Sequence, residues 1–487
     1  MTGVDETTPF VVHIGNGRIN NTSTDDKNGS SARSTSFRKK FSVEGLRESA
    51  GSISKSFSED LSRIGFLGST AIGVNSLIGP AMLYLPDTYQ RSGLIPTTAV
   101  IIFVCILSAL CCLHMSNTIS KVHNNKHFSL DVGYSECFQQ FWGPKSYFYT
   151  QVLFFCCVTC LNVSSIVDTA QVVDTFFGHW VPHGSSAVNF QWIDNKVDVR
   201  WINWDYSVCS EELLISGECV PFFDSEGGIL LTIGYVVTVL VFLPMALMDL
   251  KENAIMQVGC FVTLLVTSMG FIFLFLAQGI NLDNVSLWGD EWGSLFGVVL
   301  FNFALVIAIP AALLYIVIGI LGAITMPNVS QNMLEGLMSG SFGTAMQLCA
   351  SIFAFVIIGL GCPLFSILVR MNLSGSGFLS MRTSNGLAVY LPFLTSWIFY
   401  QGDAVTNILS WGGIIFTSLI AFILPLLLSL HSLETGNDEG SVNVYKPWRV
   451  IPITSQRTAL RILLAFASVS IIIGILGNLP FITSIMN

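Results

Sequence analysis

Long apolar blocks separated by short polar segments set the organisation of this chain. They run at Phe66–Gln90, Leu94–Ile119, Tyr147–Phe177, Ile229–Met248, Ala254–Ile280, Ser294–Met326, Phe342–Met371, Gly386–Gln401, Ile408–Leu430 and Thr458–Leu479. A helix rising about 1.5 Å per residue needs roughly 20 such residues to cross a hydrocarbon core of about 30 Å, and most of the blocks supply that. The pattern predicts an all-α polytopic membrane protein. Residues 1–60 are rich in Ser, Thr, Asn and Gly without apolar clusters, which predicts a disordered cytoplasmic tail. Residues 61–487 are then one transmembrane domain, and 178–228 form a large polar extracellular or lumenal loop. The start carries no early apolar core of the kind a signal peptide has.

The first block is the odd one. Ile72-Gly-Val-Asn-Ser-Leu-Ile-Gly-Pro80 puts Gly73, Asn75, Ser76, Gly79 and Pro80 in the middle of an apolar run. Gly and Pro weaken helix, and Pro80 removes a backbone donor. In lipid an unsatisfied backbone group costs several kcal/mol, so this backbone is expected to face a cavity or ligand. A half-helix N-terminus offers N–H groups to an anion, and freed carbonyls suit a cation or ammonium. The pair fits a zwitterion such as an amino acid. The plainer alternative is a kink or a close helix contact made by small residues.

Composition agrees with the block pattern. The chain of 487 residues is 52% hydrophobic and 11% charged, against about 25% charged in soluble domains. The 22 Lys and Arg form no long basic face, which excludes nucleic acid as a partner. Charge also orients the chain. Nine basic residues precede the first span, and Lys121, Lys126, Lys145 and Lys251 follow on the same side, against Arg91, Lys196 and Arg200 opposite. Arg370, Arg382, Lys446, Arg449 and Arg457 join the basic side only if Ser294–Met326 makes two crossings. Its 33 residues make about 50 Å of helix, short of two crossings and a turn.

Most of the 12 cysteines lie in apolar spans as packing residues, and Cys156/Cys157/Cys160 lack a metal-site context. Cys209 and Cys219 share the outer loop and are disulfide candidates. In the third block, Asp168 lies deep enough to carry a proton, bind a polar substrate group or snorkel outward. Asp174, nearer the outer end, is expected to be solvated, as is Asp87. Asn284-Val-Ser286 and Asn328-Val-Ser330 are outer-side sequons. No nucleophile–base set or phosphate loop points to an enzyme, and no metal or cofactor is implied.

Several segments resemble the amino acid/auxin permease family of LeuT-like transporters. They are Gly73-Val-Asn-Ser-Leu-Ile-Gly-Pro-Ala-Met-Leu-Tyr-Leu-Pro86 with Gln90-Arg-Ser-Gly93, Gly319-Ile-Leu-Gly-Ala-Ile-Thr325 with Asn332-Met-Leu334, Pro363-Leu-Phe-Ser366 with Val369-Arg-Met-Asn372, and Leu409-Ser-Trp-Gly-Gly413 through Leu424-Pro-Leu426. The resemblance implies two inverted five-helix repeats plus one extra helix, with substrate held at the broken first and sixth spans. Phe301-Asn-Phe-Ala-Leu-Val-Ile-Ala-Ile-Pro310 resembles the start of the sixth span, yet Ala311 onward already resembles the seventh, so this region is shortened.

By that resemblance the substrate residues are Gly73, Val74, Asn75, Ser76, Ile78 and Gly79, with Phe301, Asn302, Phe303 and Ala304. The ion-coupling candidates are Ile72, Asn75, Asp168 and Ser351, the ion being sodium or a proton. A serine bonding its own helix carbonyl is the commoner use of a residue like Ser351. The expected function is ion-coupled secondary active transport of amino acids or related zwitterions by a monomer in the plasma membrane or a vacuolar or lysosomal membrane. The alternative is a transport-deficient homologue acting as an amino-acid sensor or partner-binding membrane protein.

Overall fold

The computed structural model of the protein describes residues 66–77, 80–125, 127–128, 132–193, 196–208, 221–222, 228–289, 295, 299, 308–327, 329, 332–338, 342–375, 379–400, 411–435 and 453–477. The first block is two helices, α1 (Phe66–Leu77) and α2 (Leu85–Ser92), with a 3₁₀ turn at Pro80–Tyr84 between them. Helices α3 (Leu94–Lys121), α4 (Tyr134–Trp142) and α5 (Pro144–Trp180) follow. After a small sheet come α6 (Ile233–Ala246), α7 (Leu250–Gln278), α8 (Ala308–Thr325) and α9 (Met333–Met338). The remainder is α10 (Thr344–Ile352), α11 (Gly359–Gly375), α12 (Met381–Asn385), α13 (Leu391–Ile398), α14 (Leu424–Glu434) and α15 (Ile453–Gly477).

Six of the described helices are long and apolar enough to cross a membrane, and α6 and α8 contribute shorter apolar ones. The chain is an integral, multi-pass, mainly helical membrane protein. Helices apolar on every face are what lipid permits, because every backbone group is satisfied within the helix. Three stretches widen to π-helix: Phe353–Ile358 joins α10 to α11, Gly386–Tyr390 joins α12 to α13, and Gly413–Ile423 leads into α14. Such turns shift the carbonyl ladder and are frequent at functional sites. Here the ladder around one of them receives a bond from outside, since the Tyr134 hydroxyl donates to the Ile420 carbonyl at 2.7 Å.

The segment 178–228, expected as a polar loop, contains strands. β1 (Ser185–Ile193) pairs antiparallel with β2 (Lys196–Trp204) on one side and with β3 (Gly228–Thr232) on the other. The alternation Val197-Asp-Val-Arg-Trp-Ile202 carries the strand period of two. β3 runs directly into α6, where the Thr232 hydroxyl caps the helix by accepting the Tyr235 amide at 3.0 Å. Beyond β2, the Ser207 amide donates to Asp205 at 2.9 Å and holds that carboxyl below the usual carboxylate range.

Contacts between helix ends fix the polarity of the bundle. Arg370 is not a loop residue, as its place in a positive connection had implied. It lies within α11, buried, and its guanidinium donates to the carbonyls of Ala246 (3.3 Å), Leu247 (2.9 Å) and Met248 at the end of α6. Arg370 therefore shares one side of the bundle with Lys251 at the start of α7. At the opposite side the Asn281 amide donates to Ile324 near the end of α8, and Gly289 donates to Ser92. The 18 residues of α8 run about 27 Å, so Ala308 stands on the Lys251 side and Gly289 on the other. Between Gly289 and Ala308 only Leu295 and Val299 are among the described residues. Lys121 bonding Ser432, and Arg457 bonding the Leu433 carbonyl, belong to the same basic side.

Candidate functional site

The site is built on the interruption of the first span. The α-helix α1 is described to Leu77, and the span continues at Pro80–Tyr84 as a 3₁₀ turn rather than α-helix. An interrupted helix leaves carbonyls at one end and amides at the other without intrahelical partners. The two halves are fastened to different neighbours. On α1, which packs on α7 and α11, Asn75 is 3% exposed. Its side-chain nitrogen donates to the Gln257 carbonyl at 2.7 Å and to Gln257 Oε1 at 2.8 Å. Gln257 in turn donates to Asn253 (3.2 Å) and to the Leu360 carbonyl (3.0 Å). Asn75 Oδ1 has no hydrogen-bond partner among the described residues.

On the other half, Gln90 of α2 donates to the carbonyls of Ala323 and Met326, both at 2.8 Å, and accepts the Val329 amide at 3.0 Å. The α8 glycines admit α2 closely: a Cβ on Gly319 would stand 2.6 Å from the Tyr89 ring, and one on Gly322 would stand 2.8 Å from Pro86. The residues Gly319–Thr325, singled out for their resemblance, thus form the seat of α2.

The third span, α5, supplies a polar stripe. Leu161, Ser165, Asp168 and Val172 share one helix face by their spacing. Tyr84 packs on the cluster containing Leu161, and Val172 shares a cluster with Val74, Met82 and Leu83. α5 also contacts the 3₁₀ turn at Pro80–Tyr84, and Asp168 lies on the same face as Leu161 by its spacing. Asp168 is 5% exposed and accepts the Ser164 hydroxyl at 3.3 Å. Among the described residues no Lys, Arg or His forms an ion pair with it. Six residues earlier on α5, Asn162 donates to Ser366 of α11 at 2.8 Å, and its Oδ1 lacks a partner among the described residues.

Asp174 corrects the expectation of a solvated side chain. It is wholly buried and accepts the Ser185 hydroxyl (2.5 Å), the Tyr400 hydroxyl (2.6 Å) and the Gly234 amide (2.8 Å). A carboxylate at the N-terminus of α6 is favoured by the helix dipole, and Asp174 thereby ties α5, the sheet, α6 and Tyr400 together. Asp87, also expected in solvent, pairs with Arg91 at 2.7 Å and is 14% exposed at its side chain.

The remaining candidates divide. Gly73 accepts the Ser76 hydroxyl at 2.9 Å, and Val74 is buried. Ile72 packs on Leu364 and Ile367 of α11. Ser351 bonds the Gln347 carbonyl of its own helix at 2.8 Å, and α10 is not among the main neighbours of α1. Asn284, the first sequon asparagine, donates to the Ile324 carbonyl at 3.1 Å and is not free-standing. Ile78, Gly79, Phe301, Asn302, Phe303, Ala304, Cys209, Cys219 and Asn328 lie outside the described residues. No group of three or more His, Cys, Asp or Glu assembles for a metal among those described. Sequence reasoning missed Gln257, and it assigned no role to Gln90, Asn162 or Ser366. Each is a polar side chain inside an otherwise apolar block, the same signal that marked Asn75.

No protein-family model matches the chain, and no curated protein matches it.

Proposed function

We propose that this protein is a secondary active transporter of amino acids or related small zwitterions, coupled to an ion and working by alternating access. The observation that carries the reading is the first span, in which α1 and α2 flank a 3₁₀ turn and are fastened to different helices, together with a buried Asp168 that forms no ion pair among the described residues. Ends of half-helices recognise opposite charges, which suits a molecule bearing both. A buried carboxylate with no cation beside it among the described residues is neutralised by a proton or by a bound cation, which suits ion coupling. In this reading the helices form a LeuT-like inverted repeat of five plus five with one added helix, and the basic side of the bundle is cytoplasmic.

The test is uptake of radiolabelled amino acids by the full chain in proteoliposomes under separate sodium and pH gradients. Accumulation driven by one gradient is expected. A chain that inserts and accumulates nothing under either gradient overturns the reading. A second reading, a transport-deficient sensor, is favoured by one observation. Only 18 residues join Gly289 to Ala308, about 27 Å even as helix, which leaves nothing for a connecting loop. That reading expects amino acids to raise the melting temperature without any flux.

A further inference from the structure

One face of the sheet is apolar and open. Val197, Val199 and Trp201 alternate along β2 and are 53%, 56% and 67% exposed. Pairing sets them opposite Trp192, Phe190 and Val188 of β1, and Phe190 and Val188 sit opposite Ile229 and Leu231 of β3. The other face of β2 takes Ile202 and Trp204 into the protein core and leaves Lys196, Asp198 and Arg200 toward the hairpin tip. Asp198 and Arg200 pair there at 2.7 Å. An apolar face of this extent on a soluble surface marks a contact.

The neighbours of this face identify the contact. Phe190 meets Trp397 of α13 edge-to-face with ring centroids 6.2 Å apart, and Trp397 Nε1 donates to the Leu230 carbonyl at 2.8 Å. Leu394 and Ile398, on the same helix as Trp397, are exposed, as are Ile229 at the end of the sheet and Ile233, Val236 and Leu240 along α6. In a membrane-spanning bundle such exposed aliphatic flanks face lipid. The apolar face of the sheet is thus continuous, through Phe190, Trp397 and Ile229, with the flanks of α6 and α13 where they leave the membrane. Tryptophan is enriched at that level because its ring is apolar and its N–H is polar.

We propose that the face bearing Val197, Val199 and Trp201 rests on the bilayer interface, so that the hairpin is a lipid-bound paddle rather than a free loop. The lipid surface is its partner. The opposite face, with its charged tip, stays in water. The hairpin then anchors β3 and the start of α6, and with them Asp174, against the membrane.

The experiment uses the full chain in phosphatidylcholine vesicles. The fluorescence of the wild type minus that of Trp201→Phe isolates Trp201, a conservative change at an exposed position. Phosphatidylcholine brominated high on its acyl chains is expected to remove most of this difference signal, while aqueous iodide leaves it intact. Quenching by iodide but not by bromolipid overturns the proposal in favour of a free hairpin. Protection from both quenchers overturns it in favour of cover by protein, such as a second copy of the chain. Val199→Asp supplies an independent check. It is expected to shift the Trp201 difference signal from bromolipid to iodide quenching, and unchanged bromolipid quenching in this variant also overturns the proposal.

Discussion

Asn75 and Gln257 stand 182 residues apart, yet the Asn75 amide nitrogen bonds both the backbone and the side-chain oxygen of Gln257. The bond pair ties α1 to α7 and, through Gln257 and Leu360, to α11. Replacing Gln257 by Leu removes one acceptor and leaves buried polar groups on Asn75 and Asn253 short of partners. The expected loss is about 1–3 kcal/mol, the usual cost of an unsatisfied buried group. Adding Asn75→Leu is expected to cost less than the sum of the two single changes. Thermal unfolding of the four proteins in one detergent gives the cycle, and strict additivity denies the contact.

Asp174 anchors the other end of the third span. Tyr400→Phe deletes one donor to a fully buried carboxylate, and a hydrogen bond to a charged group is worth about 1.5–3 kcal/mol. A lower melting temperature is expected, with insertion preserved. Gly234→Ala acts at the same place by sterics, since its Cβ would stand 2.3 Å from the Ala170 carbonyl and 2.5 Å from Asp174. If neither variant melts earlier than wild type, the carboxylate does not hold these elements together.

These two clusters show what a sequence reveals and what it hides. Gly79-Pro80 announces the departure from α-helix at the Pro80–Tyr84 turn because the pair lowers helix propensity and removes a donor at one point of the chain, and nothing distant is needed to read it. The apolar blocks are legible for the same reason. The role of Asp174 is not local: its partners Ser185, Gly234 and Tyr400 lie 11, 60 and 226 residues away. An acid near the end of an apolar block reads as solvated unless those donors are known. Arg370 is similar, a charge whose place in a helix matters less than the helix end it meets. The strands between 185 and 232 were legible in the Val-Asp-Val-Arg-Trp-Ile alternation, which polar composition masked. Phe301–Ala304, the other half of the site that resemblance implies, is outside the described residues.

Asp168 separates chemistry from scaffold. Its carboxylate meets only the Ser164 hydroxyl as a described hydrogen-bond donor, so Asp168→Asn replaces it with a neutral group of the same shape. Insertion and stability are expected to stay close to wild type. Accumulation against a gradient is expected to fall to the level of passive equilibration, while exchange of labelled for unlabelled substrate across the vesicle membrane continues. Proteoliposome uptake and counterflow measured side by side check this. Undiminished accumulation by Asp168→Asn removes Asp168 from the coupling step.

Arg370 caps α6 from α11. Its two terminal nitrogens reach three successive carbonyls at the end of that helix, where the dipole favours a cation by about 0.3–2 kcal/mol. A guanidinium serves three acceptors from a rigid planar fork, whereas an ammonium on a flexible stem is a single point charge. Arg370→Lys is therefore expected to melt below wild type, and Arg370→Gln lower still, since Gln loses the charge as well as the fork. A residue retained only to bias orientation by its positive charge predicts a different order, with Lys equal to Arg. Melting temperatures of the three proteins distinguish the two roles, and cysteine-accessibility mapping at Leu379 and Ser380 reports orientation in the same samples. Equal melting of Arg and Lys forms, with inverted or mixed orientation in Gln, would establish the topological role and dismiss the cap.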